Sequence, residues 1–81
     1  MQIPAELQLV MWTLLDQIEV DADYLQVFEL IEKDGFQHII HSQEYPVWKT
    51  EHRVLGIQPV TAKVYIILEP GLETMILAED Y

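Results

Sequence analysis

The sequence predicts an α+β domain: one N-terminal helix packed across a twisted antiparallel sheet of four to five strands. Three observations carry that expectation. Residues 3–18, IPAELQLVMWTLLDQI, repeat apolar side chains at helical spacing. From Tyr24 onward, short runs rich in β-branched and aromatic residues take over. Two pairs of these runs are joined through Asp34-Gly35 and Pro70-Gly71, residue pairs that suit tight turns. The order is one helix and then strands with short connections, which favours an antiparallel sheet with the helix on one face.

The helix is the most regular segment. Pro4 stands where its first turn would begin, since proline already has a helical φ and needs no N–H there. Ile3, Leu7, Val10, Met11, Leu14, Leu15 and Ile18 recur every three or four residues and form one stripe. Glu6 falls in the first turn, where exposed N–H groups favour a negative charge. Val20, Asp21 and Asp23 are poor helix formers, so the helix should fray after Ile18. The other side carries a second strip, Ala5, Leu9 and Trp12, at spacings that also share a helix face. A second apolar strip points either to a subunit contact on the outer side of the helix or to a loop that partly covers Trp12 at its shoulder.

The strands follow in order. DYLQVFELIE reads as a strand, and Asp34-Gly35 tolerates the positive φ values of a type I′ turn. FQHIIHSQE returns, and a tight turn sets Glu29 opposite Ile40, Phe28 opposite His41, and Ile31 opposite His38. One face of this hairpin then carries Leu25, Val27, Ile31, Phe36 and Ile40. The other carries Phe28, Leu30 and Ile39, with Tyr24 and Tyr45. Neither face is polar, so more apolar surface is present than one short helix can hide.

Tyr45-Pro46 marks a bend or edge, because proline cannot donate to a ladder. Residues 47–55 form a third strand with Trp48, Thr50, His52 and Val54 on one side. Lys49, Glu51 and Arg53 on its other side suit a solvated edge. Residues 56–59 are a loop. Val64, Ile66 and Leu68 share a face with Met75 and Leu77 across the Pro70-Gly71 turn, and this hairpin is expected to be the centre of the core, facing the helix stripe.

The 81 residues make a single domain, residues 1–81, with 51% apolar and 22% charged residues. A domain of this size buries only roughly 60–65% of its unfolded surface, so association would add needed stability. Absence of cysteine excludes disulfides, thiolate metal sites and cysteine nucleophiles. Fourteen acidic residues against four basic ones argue against direct binding to nucleic acid or to an anionic membrane surface. The beginning of the chain has no basic start and no continuous apolar run, so a cytoplasmic protein without a signal peptide is expected.

The runs IPAELQLVMW, DYLQVFEL, HIIHSQEYP, AKVYIILE and TMILAEDY, in that order, resemble a small domain-of-unknown-function family of staphylococci, other Firmicutes and their phages. The resemblance covers nearly the whole chain. It implies a small cytosolic bacterial or phage protein, with a further segment ahead of the IPAELQ run in many members. It carries over no catalytic residues.

Candidate chemistry is sparse. His38, His41 and Glu44 would cluster on a helix, but on a strand residues three apart point to opposite faces and cannot share a metal. Glu29 or His52 could join them only across strands. The expected roles are a diagonal polar pair for His38 with Glu29 and packing of His41 on Phe28. Ser42, the only serine, sits mid-strand, without the strained turn that presents a nucleophile. No catalytic residue, cofactor or metal is therefore expected. Asp16, Glu19, Asp21 and Asp23 form an acidic stretch without the glycine turn of a calcium loop. A row of carboxylates could instead mimic nucleic acid and occupy a DNA-binding protein.

These observations favour an interaction or regulatory module that associates with itself or with a protein partner. Its surface is expected at Ala5, Leu9, Trp12 and Trp48, because aromatic anchors dominate interface energetics. The alternatives are an acidic inhibitor that mimics nucleic acid and, behind it, a small enzyme or ligand binder.

Overall fold

The structure is a computed structural model that describes residues 2–81. Helix α1 spans Ala5–Leu15, and five strands follow: β1 (Leu25–Lys33), β2 (Phe36–Gln43), β3 (Trp48–Val54), β4 (Ala62–Glu69) and β5 (Leu72–Leu77). A 3₁₀ turn, Ala78–Asp80, ends the chain. The strands form one antiparallel sheet in the order β3-β2-β1-β4-β5. The expected α+β class and its single covering helix are what the chain adopts.

The helix is shorter at both ends than the periodicity suggests. Pro4 has ψ 143°, so it is the N-cap rather than the first helical residue. Its carbonyl accepts the Leu7 and Gln8 N–H groups at 3.0 and 3.1 Å. At the other end, Asp16 and Gln17 donate to Thr13 and Leu14, which tightens the last turn to three-residue spacing. Ile3 and Ile18 lie outside the helix yet still pack against the core.

Leu7, Met11, Leu14 and Leu15 from the helix meet Phe28 and Leu30 of β1, Ile39 of β2, and Val64 and Ile66 of β4 in one buried cluster. The period of two in the strands explains this selection, since every second residue faces the helix. The β1–β2 register is the one that the turn dictates: Glu29 opposite Ile40, Phe28 opposite His41, Ile31 opposite His38. Asp34 and Gly35 have φ 55° and 81°, as a type I′ turn requires. Tyr24 and Tyr45 lie outside the strands and are exposed, so they do not join Phe28 and Leu30 in the core.

One expectation is corrected. The β4–β5 hairpin is not the centre of the sheet. The centre is β1, which pairs with β2 on one side and β4 on the other. After β3, the chain crosses back through residues 55–61 to reach the free side of β1, leaving β5 as an edge that is half-buried or exposed along its length. The opposite edge is β3, whose Lys49, Glu51 and Arg53 are exposed as a solvated edge demands.

Two buried glutamine contacts hold the connections in place. Gln37, fully buried, accepts the Val60 N–H at 2.7 Å and donates to the His38 carbonyl at 2.9 Å. It thereby pins the crossover while Ile57 and Val60 pack on the core. At the other end, Gln43 donates to the carbonyls of Asp21 at 2.9 Å and Pro46 at 2.8 Å, tying the segment before β1 to the turn after β2. The Tyr45–Pro46 peptide in that turn is cis.

Candidate interaction surfaces

Three regions could carry function. The first is a polar node beneath the helix. His41 is fully buried and stacks on Phe28, with ring centroids 4.1 Å apart, while Trp48 meets it edge-on at 5.0 Å. Gln26 spends both amide protons on the Asp23 carbonyl and on Gln43 Oε1, each at 2.8 Å. Its Oε1 must therefore accept from His41 Nε2, 2.8 Å away, which fixes the tautomer with the proton on Nε2. His41 Nδ1 is buried with no partner among the described residues. Burial pushes this imidazole down to about 4, with nearby His52 as the lesser cause. A neutral, sealed ring of this kind holds structure together and is poorly placed to shuttle protons. His38 lies on the opposite face of β2, as its odd spacing from His41 requires. Among the described residues, no group of three metal-ligating side chains comes together.

Beside the node lies a cleft of about 320 Å³, lined by Leu14, Gln17, Glu19, Trp48, Thr50 and His52. Thr50 Oγ1 and His52 Nε2 are 2.9 Å apart there. The acidic stretch from Asp16 to Asp23 borders this end of the helix. Asp23 is committed to structure, accepting the Tyr24 N–H at 2.8 Å and the Tyr45 N–H at 3.2 Å.

The second region is the outer side of the helix. Ala5 is exposed, and Leu9 is 67% exposed. Trp12 is half-buried and packs against the core cluster, so the strip is open at its start and closed at its end. Trp48 is half-buried at the other side of the helix-covered face, in contact with His41. The four residues thus do not form one continuous patch: Ala5 and Leu9 are open, while Trp12 and Trp48 are partly spent on packing.

The third region is the sheet face away from the helix. Leu25, Val27, Ile31, Ile40, Ile67 and Ile76 all project there, and each is only partly buried. Among the described residues, the C-terminal segment reaches this face through Tyr81, whose ring meets Tyr65 edge-on at 5.3 Å. The Tyr81 hydroxyl lies 2.8 Å from that of Tyr24, and this hydrogen bond pushes the Tyr24 phenol up. Apart from this contact, these apolar side chains are partly open to solvent and interleaved with Glu29, His38, Ser42 and Lys63 on the same face. The alternation of DYLQVFELIE and FQHIIHSQE shows an apolar excess, since both faces of the hairpin carry large apolar residues, without telling which face the helix covers. The buried glutamines were also legible by parity: Gln26 shares a row with Phe28 and Leu30, and Gln37 and Gln43 share one with Ile39.

The family model for a staphylococcal protein of unknown function, DUF960, matches residues 1–80. The chain belongs to that family. A comparison with the curated proteins finds no match. Among solved structures, this DUF960 member is similar to a protein of unknown function from Enterococcus faecalis, with a TM-score of 0.85 at 18% identity. The match covers 98% of this chain and 79% of that one, and at such identity it shows a shared fold. The motif order that suggested a family of Firmicutes is therefore that of DUF960.

Proposed function

We propose that the protein is a small cytoplasmic interaction and regulatory module that works through self-association. The observation that carries this reading is the open apolar row on the outer sheet face, centred on Val27, Ile40 and Ile67. An antiparallel sheet with one solvated face normally alternates apolar and polar residues, and this one does not. Partly exposed apolar side chains gathered on one face in this way support an interaction site there. Ala5 and Leu9 on the outer side of the helix stay free for a partner protein when two copies join through the sheet. Light scattering coupled to gel filtration, run over a hundredfold range of concentration, tests the proposal. It should give twice the monomer mass at the upper end, and a monomer throughout would overturn it.

A further inference from the structure

All four cationic side chains of the chain project on the outer sheet face. Lys33 belongs to β1, Lys49 and Arg53 to β3, and Lys63 to β4, each in register with the outward row. Three carboxylates, Glu29, Glu51 and Glu69, share that face, so it carries a net formal charge of +1. The other eleven carboxylates stand on the helix, the loops, the inward rows and the C-terminal turn, and among the described residues no Lys or Arg side chain shares those surfaces. Contact between two copies through any of those surfaces sets negative charge against negative charge. The outer sheet face alone escapes this, and Leu25, Val27, Ile31, Ile40, Ile67 and Ile76 lie partly exposed among its charges.

Four strands about 4.8 Å apart and seven residues long, β2, β1, β4 and β5, cover about 440 Å², so two such faces laid together about the β1–β4 seam bury about 900 Å², the size of a weak, concentration-dependent contact.

The charges also choose an orientation. Glu29 and Lys63 are direct neighbours in one cross-strand row, both exposed, on either side of the β1–β4 seam. A two-fold axis across the strands lays β3 on its own copy, stacking the Lys49 and Arg53 cations on each other. It likewise sets Glu29 on Glu29 when centred on their row. A two-fold axis along the β1–β4 seam does the opposite, setting Glu29 of each copy over Lys63 of the other and Leu25 over Ile67. Two sheets packed in this way remain nearly aligned, as sandwich faces prefer.

We infer that the protein forms a symmetric sandwich dimer with a second copy of itself, outer sheet face to outer sheet face, about a two-fold axis along the β1–β4 seam. The inference rests on the self-association proposed above and names its geometry. Its test is a charge swap between chains. Glu29→Lys alone places two Lys pairs across the axis, and Lys63→Glu alone places two Glu pairs there. Each variant should dimerise at least about tenfold more weakly than the parent chain. An equimolar mixture restores both pairs and should give the heterodimer in native mass spectrometry and sedimentation velocity. Both variants replace opposite charges by like charges at the same cross-strand neighbours within the chain, so recovery on mixing reads only the contact between chains. A parent chain that is monomeric at every concentration sinks self-association and this geometry together. A parent dimer that survives in both single variants, or variants that stay monomeric when mixed, overturns the geometry and leaves self-association standing.

Discussion

His41 and Phe28, directly opposite each other on β2 and β1, stack with centroids 4.1 Å apart and planes 14° from parallel. The stack places an imidazole in a site built for an apolar ring, and its one hydrogen bond goes to Gln26. This explains why the ring is held neutral, and it fixes how stability should respond to acid.

The folded pKa of His41, about 4, lies below the ordinary value of 6.5. In that interval the unfolded chain binds a proton that the folded chain refuses. Stability is therefore fully present above pH 6.5, falls as pH is lowered, and has lost this contribution below pH 4. The gap corresponds to about 3 kcal/mol, with a slope no steeper than about 1.4 kcal/mol per pH unit. Urea denaturation midpoints from pH 7.5 to 4.5 should show this decline. His41→Phe should flatten it, and an equal slope in that variant would mean that other groups carry the acid response.

The glutamine node makes a second prediction. Gln43→Ala removes the acceptor of the Asp23 N–H and of Gln26 Nε2, and also the donor to the Asp21 and Pro46 carbonyls. Each buried group left without a partner costs about 1–3 kcal/mol, with water recovering part of the loss. A destabilisation of about 3 kcal/mol is expected. Gln37→Ala should act at the other end, exposing the Val60 N–H that Gln37 accepts. Hydrogen exchange of the Val60 amide should speed up in Gln37→Ala and stay unchanged in Gln43→Ala.

The two clamps show where sequence reading reaches its limit. Strand parity groups Gln26 with Phe28 and Leu30, and Gln37 and Gln43 with Ile39, and the Asp34-Gly35 turn fixes the β1–β2 register residue by residue. Both follow from local geometry. The place of β4 beside β1 does not, because it depends on a crossover held by a hydrogen bond between residues 23 positions apart. The β4–β5 hairpin reads as the core from its alternation alone, yet the crossover leaves β5 at an edge. Of the candidate surfaces, the apolar excess on the first hairpin is written in the alternation, but which of its two faces stays outside is not. The division of Ala5 and Leu9 from Trp12 is not, since a helical stripe does not say how far neighbouring segments wrap around it.

The hairpin turn predicts a purely conformational cost. Gly35 has φ 81°, and a Cβ built there meets nothing within 4 Å. Gly35→Ala should then destabilise by about 1–2 kcal/mol, because an L side chain strains that backbone region even in open space. Thermal or urea unfolding of the variant measures it, and a neutral result would show that the turn relaxes to another type.

The neighbours Leu9 and Trp12 separate packing from contact. Leu9 is 67% exposed, so Leu9→Ala should change monomer stability by less than about 0.5 kcal/mol. Trp12 packs on the core cluster, and its truncation should cost about 1–3 kcal/mol through lost burial. Neither residue lies on the outer sheet face, so both variants should keep the parent's association constant. Ile40→Glu, on that face, should weaken association while the chain stays folded, because Ile40 is outside the buried cluster. Circular dichroism reports folding and sedimentation velocity reports association for the three variants. If Leu9→Ala or Trp12→Ala lowered association more than Ile40→Glu did, the helix strip and not the sheet would be the contact between copies.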